Sequence, residues 1–198
     1  LILGACGGGG GGSGEGGGPD ELIGDDARRA VLADIGSGVI LPRLQDLAAA
    51  TAPLASAASD PAANPDDAPA REAAQAAWRN AIAAAQFLEV LAVGPAARSD
   101  QPGGEDRRDR IYAYPLRNAC LIDRAAFAGD TVDANTRADA AGLGAVEYLL
   151  FAEGANADCP PEAGVDIIAA RAEHAARVAA FIDAEAQALL ARWQPAGG

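Results

Sequence analysis

The 198-residue chain carries a net charge of −13, its 15 basic residues are all arginine, and aromatics make up 5% beside 24 glycines and 12 prolines. An acidic chain without a basic run argues against nucleic acid as a partner, because affinity for a phosphate backbone comes from clustered Lys and Arg. No stretch approaches the roughly 18 to 20 apolar residues of a membrane-spanning helix. A background of Ala, Leu and Arg favours helix over sheet.

The chain opens with Leu1-Ile2-Leu3-Gly4-Ala5-Cys6. This resembles the end of a bacterial lipoprotein signal: an apolar run, small residues, then a cysteine that takes the lipid. Residues 1–6 are therefore expected to be the remnant of such a signal, with Cys6 as the lipidation site. Residues 7–19 are a Gly-rich tether with almost nothing to bury, expected to be disordered. Together they imply a body, residues 20–198, held at the bacterial cell envelope by lipid and facing the periplasm, the outer membrane being the expected carrier. In such an oxidising compartment Cys120 and Cys159 suit a disulfide; the other reading is two buried thiols.

From Asp20 to about Ala58, Leu22, Val31, Leu32, Ile35, Val39, Ile40, Leu44 and Leu47 recur at helical spacing. Pro42 should kink this helix or break it near Leu41, and Pro53 should disturb it again. Ser59 to Pro69 reads as a loop. A second helix runs from Arg71 to about Val93 with Trp78, Ile82, Phe87, Leu88 and Leu91 on its apolar face, and Gly94-Pro95 ends it. Arg98 to Asp109 is a polar loop. A helix starting near Pro115 continues to Phe127, and another spans about Thr136 to Glu153. Gly154 to Gly164 is loop, and Val165 to Trp193 is a long final helix. With neither strand alternation nor hairpin signals, the fold class is all-α, an antiparallel helical bundle.

The stretch Gly142-Leu143-Gly144-Ala145-Val146-Glu147-Tyr148-Leu149-Leu150-Phe151 holds the most chemistry. Projected at about 100° per residue, Leu143, Val146, Leu149, Leu150 and Phe151 fill an arc of roughly 200°, and Glu147 falls inside it. A carboxylate facing a core must be protonated, paired or metal-bound. On the final helix, Arg171, His174, Phe181, Ile182, Glu185 and Leu189 share a stripe with Val178. Arg171 is thus the expected partner of Glu147, its fork suited to a buried carboxylate, with His174 second.

This central helix resembles the signature of the imelysin-like proteins. Val39-Ile40-Leu41-Pro42-Arg43-Leu44, Trp78 with Gly94-Pro95, Tyr114-Pro115, the run Cys120-Leu121-Ile122-Asp123 and Trp193-Gln194-Pro195 agree with it. The resemblance covers most of Asp20 to Trp193. It implies an exported helical protein of two bundle-like halves, of which this chain resembles the N-terminal one. It also implies either a metallopeptidase activity or a role in iron uptake with other envelope components, and iron or another divalent metal as cofactor. The family motif is Gly-x-His-x-x-Glu. Gly142 and Glu147 match it, but Gly144 stands where the histidine belongs. His and Glu three residues apart on a helix share one ion; glycine supplies no ligand. Glu147 is then the only metal candidate from the motif, and no catalytic residue is assigned.

Three functions follow. The first is a non-enzymatic, envelope-anchored lipoprotein tied to iron uptake or ligand binding. The second is a metal-dependent peptidase using Glu147 with donors from elsewhere. The third is an interaction module docking through its Ala-rich faces, Ala73 to Ala77 and Ala138 to Ala141.

Overall fold

A computed structural model describes residues 24–152, 157 and 159–194. Cys6, the Gly-rich tether and residues 153–156 and 158 lie outside the described residues. Those that are described form helices α1 (Asp25–Ile35), α2 (Leu41–Ala63), α3 (Ala68–Ala85), α4 (Arg107–Ile111), α5 (Ala119–Ala128), α6 (Gly142–Phe151) and α7 (Ile167–Trp193), with no strand among them. The all-α bundle is as the composition implies.

The core is built by α2, α3, α6 and α7. Helix α2 lies along α7 and α3, and α6 fills the remaining side against α7 and α3. The short link Asn64–Asp67 turns α2 back into α3, and Asp67 caps α3 by accepting from the Ala70 amide (3.0 Å). Alanine dominates the seams: Ala58, Ala74, Ala81, Ala85, Ala175, Ala179 and Ala186 are all fully buried. Small side chains let the helix axes approach, and Leu44, Leu47, Leu54, Val178, Ile182 and Leu189 fill the space between them. The buried stripe expected on α7 is present, including its polar members Arg171 and His174.

Several boundaries move, each for a physical reason. The first helical region is interrupted, as expected near Pro42, but by a π-helical segment, Gly36–Ile40, that runs without a break into α2 at Leu41. Pro53 and Pro61 are tolerated inside α2, so this helix runs on to Ala63, and the loop expected over Ser59 to Pro69 shrinks to Asn64–Asp67. Val31, Leu32 and Ile35 stay exposed; no residue of α1 is buried. Helix α3 ends at Ala85 in a 3-10 turn, Gln86–Glu89. The peptide bond Tyr114–Pro115 is cis, and α5 starts only at Ala119, capped by Asn118. The expected helix from Thr136 starts instead at Gly142, because Ala141 is extended and Gly142 has a positive φ of 72°.

Cys120 and Cys159 form a disulfide with a sequence separation of 39. It ties the start of α5 to the segment leading into α7. No helix among the described residues is long and apolar enough to cross a membrane.

Candidate functional site

Helix α6 is held from the side by α3. Trp78 Nε1 donates to the Leu143 carbonyl (2.8 Å) and Gln75 Nε2 to the Leu150 carbonyl (2.9 Å). The second bond meets one of the last carbonyls of α6, which has no partner within the helix. Trp78 also packs edge-on against Phe151, with ring centroids 5.2 Å apart. At the other end Gly142 fits where no other residue does. Beyond its positive φ, an added Cβ would lie 3.1 Å from the Ile111 carbonyl oxygen and 3.2 Å from that of Arg110. The first glycine of the motif is thus a docking point for α4.

Glu147 does not lie in the core. Leu143, Ala145, Val146, Leu149 and Leu150 are buried, whereas Glu147, Tyr148 and Phe151 are only partly so. Those last three positions share one side of the helix, so Phe151 belongs with Glu147 on the open side rather than on the core arc. The helix is so apolar that its pattern hides which side opens. Nor does Arg171 pair with Glu147. It pairs with Asp123 on α5, which is 0% exposed. Arg171 Nε donates to Asp123 Oδ1 (2.9 Å) and Nη2 to Oδ2 (3.1 Å). Tyr148 completes the cluster: its hydroxyl donates to Asp123 Oδ2 (2.7 Å) and accepts from Arg171 Nη2 (2.8 Å). Burial alone disfavours the Arg171 cation, but the Asp123 carboxylate and Tyr148 outweigh it and raise its pKa. The buried acid of this fold is therefore Asp123. The sequence carries a signal for it: on α5, Ala119, Ile122, Asp123, Ala126 and Phe127 follow core spacing, and Asp123 is the polar member.

His174 is not a partner of Glu147 either. It is 1% exposed. Its Nδ1 lies 3.4 Å from Arg177 Nη2, and its Nε2 has no hydrogen-bond partner among the described residues. Desolvation first, then the Arg177 cation, lowers its pKa to about 4, against an opposing pull from Asp130. It is a neutral core histidine at physiological pH. Glu185, on the same stripe of α7, takes Arg107 (3.0 Å) and Arg110 (3.4 Å), binding α4 to α7.

Glu147 faces a surface pocket of about 290 Å³, lined by Tyr114, Pro115, Leu116, Arg117 and Gly144. Gly144 stands one turn before Glu147, and an added Cβ there would lie 3.4 Å from the Leu116 carbonyl oxygen. The second motif glycine is therefore not demanded by packing or φ; its effect is to leave the pocket free of a side chain. Arg117 lies with its guanidinium carbon 5.8 Å from the Tyr148 ring centroid. Among the described residues, neither Arg117 nor Glu147 has a hydrogen bond or ion pair through its side chain.

The donor set does not fit a metal ion. One carboxylate, no imidazole and an arginine at the same pocket give too few ligands and an unfavourable charge. No group of three or more His, Cys, Asp or Glu among the described residues is placed to hold one.

An all-α bundle with an acid-bearing pocket beside its central helix is the class the geometry defines. The imelysin family model, Peptidase_M75, matches residues 40–198, and the chain belongs to that family. No curated protein and no solved structure matches it.

Proposed function

We propose that this chain is a non-catalytic, ligand-binding member of the imelysin family, carried at the bacterial cell envelope by lipid on Cys6. The observation that supports it best is the pairing of Gly144 with Glu147. The motif keeps its acid but has glycine at the position of the second ligand, and Arg117 shares the pocket. A lone carboxylate beside a cation neither fixes a metal nor generates a metal-bound hydroxide, so a peptidase step has nothing to start from. The pocket remains concave, polar and accessible, which suits recognition. A part in iron uptake, which membership of the family suggests, would run through a ligand or an envelope partner rather than a bare ion on Glu147.

Elemental analysis of protein purified without chelator tests the binding half. Metal well below one equivalent per chain, unchanged by Glu147→Gln, is the expected result; one equivalent lost in that variant would restore the metal-dependent reading. Mass spectrometry of the membrane fraction tests the anchor. A diacylglycerol adduct on Cys6, absent in Cys6→Ser, is expected, and an unmodified Cys6 would remove that part of the reading.

A further inference from the structure

The pocket beside α6 presents opposite charges that do not meet. Arg117 and Glu147 both line it, yet no ion pair joins them within 4.0 Å. Glu147 is fixed by the helix it stands on. Arg117 lies against the Tyr148 ring, and Tyr148 is itself anchored to the buried Asp123 and Arg171. The cation thus has a seat that does not depend on the acid. A bare cation entering the pocket is attracted by Glu147 and repelled by Arg117, and a bare anion meets the reverse. Only a ligand carrying both charges satisfies both walls. Tyr114 and Leu116, 48% and 54% exposed, add apolar surface on the same loop. Gly144 supplies the room.

We infer that the Glu147 pocket binds a small zwitterion, a free α-amino acid with an apolar side chain, its carboxylate on Arg117 and its ammonium on Glu147. The volume of about 290 Å³ lies near the lower end for small-molecule sites and accommodates a ligand of that size. The inference rests on the ligand-binding reading above and names the class of ligand.

The test is calorimetric titration of the full chain with the twenty standard amino acids, followed by analogues of the best binder. If that is leucine, 4-methylpentanoate removes the ammonium and 3-methylbutylamine removes the carboxylate. Each analogue should bind at least about tenfold more weakly, the usual scale for losing one charged hydrogen-bonding group. Arg117→Gln should abolish the advantage of leucine over the amine, and Glu147→Gln its advantage over the acid. Gly144→Leu, which fills the pocket, should abolish binding, with unchanged circular dichroism certifying the fold. Equal binding of leucine and 4-methylpentanoate, or binding indifferent to Glu147→Gln, would overturn the zwitterion assignment. So would a panel in which no amino acid binds, while leaving the ligand-binding reading to its own metal analysis. Stoichiometric zinc binding that depends on Glu147 would overturn both.

Discussion

Asp123→Asn is the substitution to which the fold should be most sensitive. Asp123 is fully buried and receives Arg171 Nε, Arg171 Nη2 and the Tyr148 hydroxyl at 2.9, 3.1 and 2.7 Å. The neutral amide keeps the shape but removes the charge that balances a guanidinium whose side chain is 4% exposed. It also turns one acceptor into a donor, facing groups that themselves donate. Breaking a buried pair from one side costs about 3–5 kcal/mol, mostly because the other charge is left in low dielectric. In a domain of this size that lowers the melting temperature by on the order of 10 °C. Thermal and urea denaturation would measure it, with Glu147→Gln as the contrast. Glu147 is only partly buried and has no side-chain hydrogen bond or ion pair among the described residues, so its loss should stay within about 0.5 kcal/mol. Replacing both members of the pair, Asp123→Leu with Arg171→Met, should recover much of the loss. An Asp123→Asn variant as stable as wild type, or a Glu147→Gln variant that loses the larger amount, would refute the placement of the buried acid.

His174 ties stability to pH. Its folded pKa of about 4 lies below the ordinary 6.5. The unfolded state therefore takes the proton first, and stability is fully present above pH 6.5 and lost as pH falls toward 4. The loss should be on the order of 3 kcal/mol, and urea melts at pH 7, 5 and 4 should show it reduced in His174→Leu relative to wild type. The two motif glycines should part company. Gly142→Ala, strained at positive φ against backbone carbonyls, should cost about 1–3 kcal/mol, whereas Gly144→Ala should be neutral or gain up to about 1 kcal/mol from helix propensity. Reducing the Cys120–Cys159 disulfide releases a loop of 39 residues' separation and should cost about 4 kcal/mol on the chain-entropy model, measured as a shift in urea midpoint for the Cys120→Ser, Cys159→Ser variant.

The helical bundle was legible because alanine and leucine periodicity over long segments admits little else. The final helix, expected from Val165 and found from Ile167, shows how well a long amphipathic stripe with an N-cap aspartate marks itself. Pro42 and Gly94-Pro95 marked a helix disturbance and a helix end, but the later prolines of α2 misled. Pro53 and Pro61 look like breakers, but packing of α2 against α7 and α3 outweighs the lost hydrogen bond. The site was half legible. Gly144 and Glu147 line a surface pocket, and Gly142 makes a tight contact with the backbone of α4. The direction of Glu147 was not, because a helix apolar on nearly every side carries no contrast from which to read its exposed edge. The identity of Arg171 as a buried, acid-paired arginine was readable from the α7 stripe. Its partner was not, since choosing between Glu147 and Asp123 requires knowing which face of α5 meets α7. Arg117 gave no signal at all: it sits in irregular backbone, and only the fold brings it beside the motif acid.

The claim at the centre of this account is that the pocket beside α6 lacks the ligands to be a metal centre. Calorimetric titration of zinc and ferrous iron into metal-free wild-type protein, beside Glu147→Gln, tests it most directly. No saturable binding at micromolar metal, and traces identical for both proteins, is the result expected. One equivalent taken up by wild type and lost in Glu147→Gln would contradict it.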